Sequence, residues 1–481
     1  MKILQNKWLL TLGIVAALLT ACRDFEEMNY DPNKTSEVPT SALLTQAQAN
    51  LVYNLNGEIA QLGAQYVQYF AQLDYPDKSN YLDEGVSSFN GIYLGGLTDL
   101  KEIISLNTED LSKERVSQFG DNNNQIAVAK ILSVWAYHSM TDVWGDLPYY
   151  QAISPDYLMP VYDTQSDVYD GLLSELNDAQ ALIDTDPVYE LKGDLIFDGA
   201  MAKWDAFAES LKIRMAMRLT EVDDAKAKTL LQGVSFDNAF STSSDYAHFV
   251  HLATEAEGNP LWIDNEVSAG GDYFACANTF IDVLNAVSDP RIGAFANPTA
   301  NSGAYVGMVY GQEEAGNADD VSMPGDQYAS QTAPTILMTA AEILFAKAEA
   351  IQRGYITGDA EAVYEQAIRV SMEYNGVGEA DITTYLAQAE VQYDASNWRE
   401  SIGVQKWIAL FNQGIQGWAE WRRLDYPVLS PGAGASPSAT IPRRRAYSSN
   451  EYTTNRLNVE AAVARFSSGK DTFNERVWWD K

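Results

Sequence analysis

Trp407, Leu410, Phe411, Gly414, Ile415, Trp418 and Trp421 recur at steps of three, one, three, one, three and three within residues 405–427. A helix brings residues at that spacing onto one face, whereas a strand divides them between two. An apolar stripe this long must be covered by other elements, and aromatic side chains on a periodic face are more often core than ligand platform. The expectation is one continuous helix with three packed indoles. Arg422 and Arg423 fall in its last turn, where cations suit the helix C-terminus, and Pro427 stops it.

The same period runs through much of the chain. Leu44, Ala47, Leu51, Leu55, Ile59, Leu62, Tyr66 and Tyr69 predict a helix over 41–72 with Ser41 as N-cap. Further helices are predicted over 98–105, 125–143, 166–183, 202–220, 223–231 and 278–287. Helical order returns at Thr335. There Leu344, Ala348 and Ile351, followed by Ala360, Tyr364 and Ala367, give the small–large alternation of a tetratricopeptide-like pair. The match is partial, because Leu344 stands where tryptophan is usual and the closing proline is absent. Between 233 and 333, Gly, Asn, Asp, Ser and Pro punctuate short apolar runs such as 305–310. The predicted fold is mostly α: a helical-pair scaffold from 41–232 and 334–481, with an irregular insertion over 233–333 that contains short strands.

The first 21 residues read as a leader. Lys2 and Lys7 precede an apolar run, Trp8 to Leu19, too short to span a bilayer but suited to a signal peptide. The run ends Leu19-Thr20-Ala21-Cys22, which resembles a bacterial lipobox. On that reading Cys22 is acylated and 22–40 is an extended tether carrying the acidic stretch that follows it. The 481 residues hold 66 Asp plus Glu against 32 Lys plus Arg, a formal charge of −34. That field disfavours nucleic acid and anionic lipid as partners, which leaves the lipid anchor as the route to a membrane. Two cysteines exclude a disulfide framework.

Catalytic motifs are absent: there is no G-x-S-x-G, H-E-x-x-H or Walker loop, and no cofactor is implied. His248 and His251 would share a face only if helical, and no third metal ligand is evident. Cys276 reads as a buried thiol. The basic run Arg443, Arg444, Arg445 is expected to pair with carboxylates of this acidic chain, the alternative being a contact with a partner protein. Aromatic and amide side chains on loops suit sugar recognition, where C–H faces stack and hydroxyls bond. Two regions qualify. The first holds Tyr75, Asp77, Asn80, Tyr81, Phe89 and Asn90; the second holds Trp262, Asp264, Asn265, Tyr273, Phe274, Tyr305 and Tyr310. Packing within an irregular region is the competing explanation for each aromatic.

Several motifs occur in one order: LTACRDFEEMNYDPN, SMTDVWGDLPYYQA, DPRI, MTAAEILFAKAEA, NWRESIGVQKWIALFNQGIQGWAEWRRLDYP, IPRRRAYSSNEY and RVWWD. Together they resemble the SusD/RagB-like family of Bacteroidetes outer-membrane lipoproteins, from Cys22 to Asp480. The resemblance implies four tetratricopeptide-type helical pairs with a more irregular part that carries the ligand face. It also implies a place at the outer face of the outer membrane beside a TonB-dependent, SusC-like β-barrel transporter, and the capture of glycan or peptide without catalysis. An early loop and the insertion would supply the ligand groups. The alternatives are a surface glycan hydrolase and a helical-repeat adaptor of the transporter with no ligand of its own.

Overall fold

The computed structural model describes residues 38–82, 88–268 and 273–481. The leader, the Cys22 motif and most of the tether lie outside the described residues. Side-chain caps start several helices where the sequence supplies an Asp or Thr. Asp121 accepts from the backbone N–H groups of Asn123 and Asn124 and opens Asn122–Trp144, which ends at Gly145 with φ +89°. Thr164 opens Gln165–Leu182, Asp223 opens Asp224–Gly233 and Asp359 opens Ala360–Tyr374. Thr40–Asn54 packs on Thr98–Thr108, which packs on Asn122–Trp144, then Gln165–Leu182, then Met201–Arg218. Met201–Arg218 in turn meets Ala340–Gln352, the partner of Ala360–Tyr374. A continuous core fills these contacts, with Ala348, Tyr364 and Ala367 buried as the repeat pattern requires.

Two predicted helices are interrupted. The one over 41–72 passes through a π-helical segment, Leu55–Ile59, whose Gly57 leaves helical geometry at ψ −123°. It resumes as Ala60–Tyr66 and gives way to a strand, Phe70–Gln72. The C-terminal stripe is two helices, Trp398–Ala409 and Gly414–Leu424, joined through Asn412 at φ +60°. The break lets Gly414–Leu424 lie backbone to backbone on Ala60–Tyr66. A Cβ on Gly414 would sit 1.8 Å from the Ala60 carbonyl oxygen, and one on Gly63 would sit 2.6 Å from the Gly414 oxygen. Both halves still face one core. Trp407, Trp418 and Trp421 are buried and donate to the carbonyls of Val67, Pro442 and Pro427.

The arginines after the stripe do more than answer a helix dipole. Arg423 bonds Glu349 at 2.5 and 2.6 Å and Glu420 at 2.6 Å, while Lys406 and Arg218 also reach Glu420. Burial alone would raise the Glu420 carboxyl, but Arg423, Lys406 and Arg218 hold it well below the usual carboxylate range. Arg422 lies over the rings of Trp418 and Trp479 at 4.0 and 4.6 Å, and burial brings its guanidinium down to about 10.

Four short strands form two antiparallel pairs among the described residues. β1 (Phe70–Gln72) pairs with β3 (Phe274–Cys276) in the register Phe70–Cys276, Ala71–Ala275, Gln72–Phe274. β2 (Tyr246–Phe249) pairs with β4 (Thr335–Thr339), with a bulge between Ala247 and His248. Each pair therefore joins a strand from 233–333 to a strand outside it. Thr335 begins a strand where the sequence reading placed a helix, because its apolar run is buried on every residue. Residues 305–310 contribute a single bridge, Met308 to Ala277, in place of a strand.

Candidate functional site

β1 and β3 bring together the two loop regions singled out from composition. Gln72, the last residue of β1 and buried, clasps both. Its Nε2 donates to the Tyr273 hydroxyl at 2.5 Å, and its Oε1 accepts from the backbone N–H groups of Lys78 and Ser79 at 3.1 and 3.3 Å. Leu73 N–H donates to the Tyr273 carbonyl, and Asn265 accepts from the Phe274 N–H. The turn after β1 is knitted by backbone bonds from Asp77 to Tyr75, Asn80 to Pro76 and Leu82 to Asp77. Tyr75 stands on it 79% exposed at φ +53°, a left-handed conformation unfavourable to a side chain this large.

The resulting rim carries exposed Tyr75 and Asp77, half-buried Lys78 and Tyr273, and half-buried Asp264 in the π-helical segment Ile263–Ser268. Burial raises the Asp264 carboxyl, against the opposing pull of Gln61 and the Lys78 charge. An exposed aromatic beside carboxylates and a cation can stack on an apolar face and bond hydroxyls around it.

The other predicted residues take different places. Asn80 is buried, donates to the Gly311 carbonyl and is ringed by Gly311, Gly432 and Gly434; a Cβ on any of the three would come within 2.8 Å of its carboxamide. Tyr81 and Tyr310 pack with Met308 and Leu73, and burial pushes the Tyr81 hydroxyl up to about 12. Asn265 pins Phe274 from within. Trp262 is half-buried against Gly258. Asn90 donates to Glu451, which also accepts from Tyr162, and Phe89 packs edge-on against Trp144. Tyr305 is half-buried, with its carbonyl accepting from Asn285. Gln72 and the 430–435 segment escaped the sequence reading. The glycines of that segment were its visible signal; a lone glutamine in an apolar run gave none.

The His248 and His251 rings have different partners. His248 Nε2 meets the Tyr374 hydroxyl at 2.6 Å; His251 meets Thr335 at 2.8 Å and Tyr53 at 3.3 Å. Burial brings each imidazole down to about 4. No metal-ligand cluster occurs among the described residues. Cys276 is buried in β3, where burial pushes its thiol up. The basic run turns inward. Arg443 reaches Asp425 and Asp480, Arg444 reaches Asp471, and Arg445 bonds the Tyr66 hydroxyl and lies over Phe473. A cleft of about 710 Å³ opens at the C-terminal end among Asp146, Gln165, Arg465, Arg476 and Trp478; none of the predicted binding residues lines it.

A family profile described as "Starch-binding associating with outer membrane" matches residues 32–448. The chain belongs to this SusD-like family. Among solved structures, a chitin-binding protein is 25% identical with a TM-score of 0.79, over 92% of this chain and 99% of its own. A SusD homologue from Bacteroides uniformis is 24% identical with a TM-score of 0.77, over 93% and 100%. A Bacteroidetes AC2a SusD-like protein is 23% identical with a TM-score of 0.79, over 92% and 100%; these last two likenesses bear on the fold alone. No protein of curated function matches the chain. No helix among the described residues is long and apolar enough to cross a membrane.

Proposed function

We propose that this SusD-like chain is a surface-exposed binding lipoprotein, anchored through Cys22, that captures an oligosaccharide and passes it to a TonB-dependent outer-membrane transporter. Recognition is assigned to the rim of Tyr75, Asp77, Lys78, Asp264 and Tyr273, and no bond is made or broken there. The observation that carries this reading is the β1–β3 pairing, which joins the early loop to the insertion and lets Gln72 hold both. The family description supports a carbohydrate over a peptide.

The test is a glycan array probed with the full chain in detergent, followed by an assay of reducing-sugar release on each glycan retained. Retention without release is expected, with retention reduced about tenfold or more in a Tyr75→Ala, Tyr273→Ala double variant, the scale of losing one or two stacking contacts. Release of reducing ends would identify a hydrolase. Co-purification of a barrel together with no retained glycan would identify an adaptor.

A further inference from the structure

A second aromatic site lies on the β2–β4 pair. Tyr246 and His248 lie on either side of Ala247 on β2, and their rings stack with centroids 4.1 Å apart and planes 23° apart. Tyr374, the last residue of Ala360–Tyr374, stands nearly upright to both: 70° from Tyr246 at 6.0 Å and 78° from His248 at 5.6 Å. Its hydroxyl meets His248 Nε2 at 2.6 Å and fixes the corner. Strand alternation puts Tyr246 and His248 on one face of β2, and the bulge opposite them falls on β4, where Leu337 is the extra residue. Tyr246 remains 38% exposed.

The corner opens into a groove of about 390 Å³ whose polar lining comes from Ser243, Ser244, Gln327 and Glu373. Gln327 donates its amide to Asn375, which leaves its carbonyl oxygen to accept from elsewhere. Burial keeps the imidazole uncharged above about pH 4, so the corner presents flat apolar faces with hydroxyl, amide and carboxylate groups around them. A pyranose has the matching form, with apolar C–H faces and an equatorial belt of hydroxyl donors. The volume falls within the range of small-ligand sites, roughly 300–1,000 Å³.

We propose that the Tyr246–His248–Tyr374 corner is a second saccharide-binding site, with Tyr246 as the stacking platform and Ser243, Gln327 and Glu373 as hydroxyl partners. The proposal goes beyond the rim reading and is separable from it. Full chain in detergent is titrated calorimetrically with maltohexaose and with chitohexaose, comparing wild type with Tyr246→Ala, Tyr246→Phe and Tyr75→Ala.

Wild type is expected to show two classes of site for at least one of these sugars. Tyr246→Ala should weaken one class about tenfold or more, Tyr246→Phe should retain it, and Tyr75→Ala should affect the other. If Tyr246→Ala, with unchanged circular dichroism, titrates like wild type, the groove proposal falls and the rim reading stands. If Tyr75→Ala titrates like wild type while Tyr246→Ala loses one class, the rim reading falls and the groove remains. Binding of neither sugar, or of a tryptic peptide mixture alone, overturns the proposal. A readout on the wild-type chain guards against a variant that misfolds. Acetylation of Tyr246 by N-acetylimidazole, followed by mass spectrometry, should slow when the sugar is present; an unchanged rate contradicts the site.

Discussion

Tyr75 holds a bulky ring in the left-handed region while most of it faces water, so packing does not explain the conformation. Backbone strain of this kind costs about 1–3 kcal/mol and persists where surrounding structure enforces it. Tyr75→Gly should therefore trade function for stability. Relief of the strain is expected to raise the melting temperature by about 1 °C, at ~1 kcal/mol gained in a chain of this length, while glycan affinity falls. Calorimetric melting and binding titration of the same preparation check both directions, and a variant that loses affinity without gaining stability would show the conformation to be unstrained. Composition alone picked out Tyr75, because an exposed loop aromatic is visible as such. It could not separate Tyr75 from Asn80, whose amide is locked among three glycines from two other segments. Both residues sit in the same polar, aromatic run, and only the tertiary fold distinguishes them.

At the scale of elements, the site depends on a pairing of three residues per strand. β1 was hidden inside a helical period, because Tyr66 and Tyr69 continue the three-and-four spacing that precedes them. Tertiary pairing with β3 overrode that local pattern. The C-terminal stripe was legible for the same reason that it misled. Its spacing gives the buried face correctly, yet periodicity carries no sign of a break that keeps both halves facing one core. Gly414 marked the place, where two helix backbones touch. Gln72 turns the β1–β3 pairing into a site. Gln72→Ala would leave the Tyr273 hydroxyl and the N–H groups of Lys78 and Ser79 without their partner, at a cost of about 1–3 kcal/mol. The expected result is a lower denaturation midpoint together with weaker glycan binding, although Gln72 is buried beneath the rim. Gln72→Glu should recover part of both, since a carboxylate still accepts from the two N–H groups; equal loss in both variants would argue against the clasp.

Across the whole molecule, charge is managed by burial. The surface is strongly acidic, but the core holds Arg214, Arg218, Arg423 and Lys406 against Glu342, Asp142, Glu349 and Glu420. His138 lies among them, fully buried and brought down from 6.5 to about 4, chiefly by burial. The unfolded chain then binds a proton that the folded chain refuses between those two values. Stability from neutral His138 is present above about pH 6.5 and is lost as pH falls toward 4, a change of about 3 kcal/mol for this residue. Glu349 and Glu420 are lowered, so their contribution is lost only in more acid solution, below the usual glutamate range. Melting temperature should accordingly fall in two stages on acidification, the first shared by His138, His248 and His251, so His138→Gln should reduce that stage without abolishing it. The helical class and the acidic exterior were readable from period and composition. This network was not, because Arg218 and Glu420, for instance, lie 202 residues apart in the chain.

Amide hydrogen exchange of the full chain, with and without a glycan retained on the array, tests the central claim most directly. Residues 72–82 and 262–276 are expected to gain protection together, because one ligand spans the two segments that β1 and β3 join. Tight binding that leaves exchange in both segments unchanged would contradict it.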